Sequence, residues 1–152
     1  MPNALDYALA LIKRWEGCRL EAYPDPGTGG WPWTIGWGST GEGIGPGAVW
    51  TQEQADKRLE ADVRKFMAEV QRTVGRSLAP HQLGALTSLA YNIGIGAFKN
   101  STLLRLLHAD DFKGASEQFL RWNRAGGRVM RGLSNRRADE RDVFDGNTEP
   151  AG

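Results

Sequence analysis

Only one cysteine, Cys18, occurs in the 152 residues, so no disulfide can form within the chain and covalent staples contribute nothing to its stability. A lone thiol also fits synthesis in a reducing cytoplasm. Histidine is almost as scarce. His81 and His108 stand in no ligand spacing such as His-x-x-x-His, so no metal site and no cofactor is expected. No apolar run approaches the length of a membrane span, and the opening segment MPNALDYALALIKRWEG has no basic stretch ahead of apolar residues that Asp6 interrupts. Neither a signal peptide nor stable membrane insertion is expected from it. An excess of one charge is missing too: 19 Lys and Arg against 18 Asp and Glu leave +1, which argues against a protein that coats nucleic acid. Internal repeats and low-complexity tracts are absent.

What is present is an ordinary globular balance, 40% hydrophobic and 24% charged. A chain of this length is most simply one domain, able to bury roughly 70% of its unfolded surface. Glycine is in excess, 20 residues gathered at 17–47 and 126–132, where irregular backbone is expected. Leu5, Ala8, Leu9, Ile12 and Trp15 recur at helical spacing after an Asn3 N-cap, and Gly17 supplies a stop that leaves Glu16 in the last turn. From 18 to 49 the helical period gives way to turn residues and short alternating pieces, which predicts two or three small strands. Thr51-Gln-Glu-Gln54 reads as a capping box, followed by Ala55, Leu59, Val63, Phe66, Val70 and Val74. A helix of that extent is a rod of roughly 30–35 Å, long enough to link two lobes. Shorter helices follow at 80–93, 101–108, 112–122 and 134–144, broken by Gly94, Gly96 and Gly126-Gly127. The pattern predicts an α+β protein: a β-rich lobe over about 17–50, a bridging helix over 51–74, and a helical lobe over 75–146 that receives helix 3–16. Lobes so joined leave a cleft, where long substrates bind.

The chemistry concentrates in the glycine-rich stretch. Hydrolysis of a glycosidic bond needs a carboxylic acid to protonate the leaving oxygen and a carboxylate to serve the other face, and Glu16 with Asp25 is the candidate pair. A helix C-terminus disfavours a carboxylate by only about 0.3–1 kcal/mol, so an acid at Glu16 would need burial as well. Asp25 lies in Pro-Asp-Pro-Gly, a turn signal in which aspartate often bonds its own backbone, and that reading stays open. In WPWTIGWG, period two puts Trp31, Trp33, Ile35 and Trp37 on one face and Thr34, Gly36 and Gly38 on the other. The bulky face is expected to pack, with sugar stacking as the alternative; the bare face would let a ligand approach, with Thr34 orienting a water.

Six ordered segments then carry a resemblance that spans nearly the whole chain: WEGCRLEAYPD (15–25), WTIGWG (33–38), TQEQA (51–55), QLGALTSLAYNIG (82–94), AFKNSTLL (97–104) and GLSNRRADER (132–141). The chain resembles the phage-type lysozymes of glycoside hydrolase family 24, the bacteriophage endolysins. The resemblance implies a lysozyme-like fold and a muramidase that hydrolyses the β-1,4 bond between N-acetylmuramic acid and N-acetylglucosamine, with inversion. Glu16 would be the general acid, and Asp25 and Thr34 would position the water. Glu16 and Asp25 keep the family's spacing. Thr34 departs from it: eight residues separate it from Asp25 where the family has five, and the three extra residues are expected to enlarge the turn at Gly27 to Gly30. Substrate contacts are expected at Gly36, Thr40, Asn92, Ser101 and Arg137, with Ser101 also an N-cap, Asn92 also satisfying backbone at a helix end, and Arg137 also braced on a carboxylate such as Glu16.

The partner implied is the peptidoglycan glycan strand, met by a monomer that stays in the host bacterial cytoplasm until a separate holin releases it to the periplasm. Competing readings are a lytic transglycosylase, which cuts the same bond with one acid, and a catalytically silent peptidoglycan-binding virion module. Retention of Asp25 and Thr34 beside Glu16 argues against both. Cys18 is expected to be a buried small hydrophobe rather than a regulatory thiol. Seven arginines between 121 and 141, against Asp139 and Glu140, form a local basic run that could draw the protein to an anionic envelope.

Overall fold

The computed structural model describes residues 2–147. The chain folds as two compact units, residues 13–62 and the remaining described residues. Helix α1 (Ala4–Trp15) opens on a reciprocal cap: Asp6 N–H donates to Asn3 Oδ1 at 2.8 Å, and Asn3 N–H to Asp6 Oδ2 at 2.9 Å. Its buried face is Tyr7, Ala8, Leu11 and Ile12, so Leu5 and Leu9, expected inside, are only half-buried. Tyr7 takes the place that the apolar pattern assigned to them.

In the unit of residues 13–62, strand β1 (Arg19–Tyr23) pairs antiparallel with β2 (Thr34–Gly36), with Tyr23 opposite Thr34 and Arg19 opposite Gly36. Five residues of β1 therefore face three of β2, an irregularity that bends the ribbon. The second edge of β1 is covered by residues 48–50, through Ala22 N–H to the Ala48 carbonyl and Trp50 N–H to the Leu20 carbonyl. Ala22, Ile35 and Ile44 make a small core, packed by Trp33, Ala48 and Trp50. Gly36 has φ +66°, and a Cβ there would meet the Trp50 ring at 3.1 Å and Ala55 Cβ at 3.4 Å.

Helix α2 (Gln52–Val74) starts with the expected box, Gln54 N–H donating to Thr51 Oγ1 and Thr51 N–H to Gln54 Oε1. Ala55, Leu59, Val63, Val70 and Val74 are buried as the period predicts. In the larger unit, α3 (Pro80–Ile93), α4 (Ile95–Lys99), α5 (Thr102–His108), α6 (Phe112–Gln118), a short 3₁₀ turn (Phe119–Arg121) and α7 (Arg131–Phe144) gather around Leu86, Leu89, Phe98, Leu103, Leu107 and Phe119. Between the 3₁₀ turn and α7 a two-residue ribbon, β3 (Arg124–Ala125) with β4 (Arg128–Val129), turns on Gly126-Gly127. The sequence pattern predicted neither α4 nor this ribbon. Helix α1 approaches α3 at Gly84, where a Cβ would stand 2.4 Å from Tyr7 Cβ. Both histidines are tied to helix ends: His81 Nδ1 donates to the Val143 and Phe144 carbonyls at 3.1 and 3.0 Å, and His108 Nε2 to the Thr73 carbonyl at 3.1 Å.

A carboxylate lies inside this core. Glu140 of α7 is fully buried and meets Arg137 Nε at 2.9 Å and Arg136 Nε at 3.2 Å, and it accepts a hydrogen bond from Ser88 of α3. Burial pushes its carboxyl up from the ordinary value, while the Arg137 and Arg136 guanidiniums and the Ser88 hydroxyl pull it back. Removing the acid leaves two guanidiniums in a dry site. Glu140→Gln is therefore expected to lower unfolding free energy by about 3–5 kcal/mol in urea denaturation. A loss below about 1 kcal/mol would mean that the cluster contributes little.

Candidate active site

Glu16 is half-buried and lies one residue past the end of α1, not within its last turn. The segment that carries it is fastened on both sides. Before it, Lys13 Nζ stands 4.0 Å from Asp56 Oδ1 and 5.7 Å from the centre of the Trp37 ring. After it, Cys18 Sγ accepts from Gln52 Nε2 at 3.6 Å. The same Gln52 nitrogen donates to Asp56 Oδ1 at 3.0 Å, and Trp37 Nε1 donates to that oxygen at 2.8 Å. Asp56 and Gln52 are one turn apart on α2, so a single helix face gathers the Glu16 segment and the residues after β2. Cys18 is half-buried, not the buried hydrophobe expected, because its sulfur belongs to this polar group.

Asp25 lies in one hairpin loop, residues 24–33, and Thr34 directly follows it. Thr34 opens β2 opposite Tyr23, and Asp25 lies two residues beyond Tyr23. The turn reading of Asp25 holds: its Oδ2 accepts from Gly27 N–H and Thr28 N–H, both at 3.0 Å. Its backbone closes the loop as well, Asp25 N–H donating to the Gly30 carbonyl at 2.9 Å and Gly29 N–H to the Asp25 carbonyl at 2.7 Å. Both side-chain bonds fall on one oxygen, so Oδ1 takes no part in the turn. Residues 27–30 lie within this turn.

The tryptophans do not form one packed face. Ile35 is fully buried and Trp33 packs beside it, but Trp37 bonds to Asp56 and Trp31 is exposed. β2 covers only three residues, too short for the alternation to run from 31 to 37.

The remaining expected contacts are largely structural. Packing of Trp50 against Gly36 accounts for its missing side chain. Thr40 is exposed, and its carbonyl accepts from Arg58 Nη2 at 2.8 Å; Arg58 Nε in turn meets both oxygens of Asp62 at 3.1 Å. Ser101 is buried as the N-cap of α5, its Oγ accepting from Leu104 N–H at 3.1 Å and donating to the Phe98 carbonyl at 2.7 Å. With its hydroxyl so engaged, Ser101 is a cap and offers no exposed group to a saccharide. Arg137 is fully buried and paired with Glu140, and its Nη2 donates to Asn92 Oδ1 at 2.7 Å, so both side chains serve the α3–α7 contact. Asn92 thus satisfies a guanidinium and not a helix end. Sequence reasoning missed Asp56, Gln52 and Trp37; the Gln52/Asp56 spacing at i,i+4 was the available signal.

The Trp37 indole N–H, with Gln52 and Lys13, holds the Asp56 carboxyl below its ordinary value of 3.8 against a smaller opposing effect of burial. A depressed folded value means that the stabilisation is present above the unfolded value and is lost as pH falls through the folded one. On acid titration followed by tryptophan fluorescence, the wild type is expected to show a transition below pH 3.8 that Asp56→Asn lacks. Identical acid profiles would show that Asp56 does not fasten Trp37.

The Phage lysozyme family model matches residues 13–140. Among known proteins, an endolysin of Acyrthosiphon pisum secondary endosymbiont phage 1 is 40% identical over 141 residues, covering 90% of this chain and 94% of that one. An endolysin of Bacillus phage B103 is 41% identical over 142 residues, 93% of this chain. The chain spans only about half the length of the Bacillus phage relatives it matches, 54% and 53%. Among solved structures, the muramidase domain of SpmX from Asticaccaulis excentricus superposes with a TM-score of 0.81 at 34% identity, covering 90% of this chain and 93% of that one.

Proposed function

The chain belongs to the phage lysozyme family, and from that premise we propose that it is a muramidase, hydrolysing the β-1,4 bond between N-acetylmuramic acid and N-acetylglucosamine in bacterial peptidoglycan and so causing lysis of the host. The observation that carries the reading is the hairpin: Asp25 uses Oδ2 to hold the loop, leaves Oδ1 out of the turn, and lies in the loop that Thr34 directly follows. In the proposed reaction Glu16 protonates the glycosidic oxygen as the bond to C1 breaks. A water held by Thr34 and Asp25 Oδ1 attacks C1 from the opposite face, and its proton passes to Asp25. Proton exchange with solvent then restores both groups, and the product keeps the inverted configuration.

The substrate partner is the glycan strand of the periplasm, and the protein acts on it as a monomer after release from the host cytoplasm, with a separate holin opening the route. No helix of the described residues is long and apolar enough to cross a membrane. Attraction to an anionic envelope rests on Arg121, Arg124, Arg128 and Arg131, which are exposed, and not on Arg136 and Arg137, which are buried. That attraction should weaken with salt, since screening acts over about 8 Å at physiological ionic strength.

Glu16→Gln is expected to cut peptidoglycan hydrolysis by about 10²–10⁴-fold in a protein that stays folded. Asp25→Asn, which keeps an acceptor for the turn, should lose activity while keeping its melting temperature. Mass spectrometry of the released muropeptides gives the reaction class: hydrolysis keeps the water that a transglycosylase product lacks. A folded Glu16→Gln protein with wild-type activity, or anhydro products, would overturn the scheme.

A further inference from the structure

Among the exposed large apolar side chains of the described residues, Trp31 is the one aromatic, 66% exposed where Trp33 and Trp37 are engaged. Leaving an indole in water forgoes its large burial energy, so its neighbours matter. It is held in place. Thr28 Oγ1 donates to the Trp31 carbonyl at 2.8 Å, and a Cβ on Gly45 would stand 2.9 Å from the ring's Cη2. Only a residue without a side chain lets the ring edge lie so close to the 41–48 backbone. Trp31 and residues 41–48 surround an open cavity of about 630 Å³, within the range of small-molecule sites. Four of its lining residues are glycines, and a Cβ on Gly43 or Gly47 would meet nothing within 4 Å. Glu42 is the one ionisable side chain on its lining.

A flat apolar ring, unobstructed peptide groups and one carboxylate match a pyranose carrying an acetamido group. The sugar's C–H face lies on the indole, while its hydroxyl and amide N–H groups donate to Glu42 and to loop carbonyls. The same lining carries no cation for a phosphate or carboxylate ligand. Trp31 also lies within loop 24–33, between Asp25 and Thr34. The three residues from Trp31 to Thr34 span at most about 11 Å, so a strand held at Thr34 continues within reach of the indole. We infer that Trp31 and the 41–48 loop form an accessory subsite that binds an N-acetylhexosamine unit of the glycan, away from the bond that is cut. The inference rests on the muramidase reading for its physiological ligand, and not for its chemistry.

The test uses the full chain and β-1,4-linked N-acetylglucosamine oligomers. In the Glu16→Gln protein, the hexamer is expected to shift the Trp31 indole N–H resonance saturably, an effect absent for glucose. With soluble uncrosslinked glycan strands, Trp31→Ala should raise KM about three- to tenfold, the size of one aromatic stacking contact. Unchanged kcat and melting temperature, and recovery of most of the loss by Trp31→Tyr, distinguish stacking from a structural defect. An unmoved Trp31 resonance, or a KM equal to wild type in Trp31→Ala, overturns the subsite. If the wild type cleaves no glycan yet the hexamer shifts Trp31, the muramidase reading fails and the sugar site stands. If it cleaves glycan and Trp31 stays unmoved, the subsite alone fails.

Discussion

The carboxylate of Asp56 is what the glycine-rich unit depends on. Between Cys18 and Thr51 the chain buries only Ala22, Ile35, Gly36, Ser39 and Ile44, while ordering each residue costs about 1–2 kcal/mol of backbone entropy. Polar bonds to α2, the most regular element nearby, add to that small cluster: Asp56 accepts from Trp37, Asp62 from Ser39, and Arg58 donates to the Thr40 carbonyl. Because Gln52 also holds Cys18 and Lys13 faces Asp56, the α2 face fixes the stretch around Glu16 and the stretch just after Thr34 together. Two candidate catalytic side chains distant in sequence are thereby referred to one rigid helix, the support that a precise site needs.

The larger unit meets the opposite problem. Its apolar core is ample, and the unusual component is an acid. Glu140 with Arg136, Arg137, Ser88 and Asn92 places charge in the α3–α7 contact, where a hydrophobic pair would be as stable or more so. One consequence is electrostatic. Seven arginines in 21 residues look like a basic surface, but two point inward and share the Glu140 carboxylate, so fewer cations reach the surface than the sequence count implies.

How far the sequence revealed this depends on which signal each element carries. α2 was fully legible because its capping box and its apolar positions are local and repeat every turn. Asp25 was legible in both readings because Pro-Asp-Pro-Gly makes an Asx turn without tertiary help. The tryptophan stripe misled: period two presumes a strand from 31 to 37, and β2 stops at three residues. Arg137 and Ser101 resembled ligand contacts because burial, which turns each into a structural group, is a tertiary outcome that no local pattern encodes. Asp56 was missed for the related reason that its partners lie 19 and 43 residues away as well as one turn back on its own helix.

The hairpin loop between β1 and β2 shows how a glycine-rich segment can be held beside a candidate site. Loop 24–33 is closed on itself, Asp25 bonding to Gly27, Thr28, Gly29 and Gly30, and Thr28 to Gly30 and Trp31. Each bond satisfies a backbone group within the loop, and Thr34 stands opposite Tyr23 where the strands resume. Those bonds end at Trp31, where the chain turns back toward β2 and the indole is carried outward over Gly45. The loop therefore shapes the surface beside the candidate chemistry through bonds of its own, while β2 holds Thr34. Variation in such a loop is a route by which one scaffold can alter how much of a polymer it grips while retaining the bond it cuts.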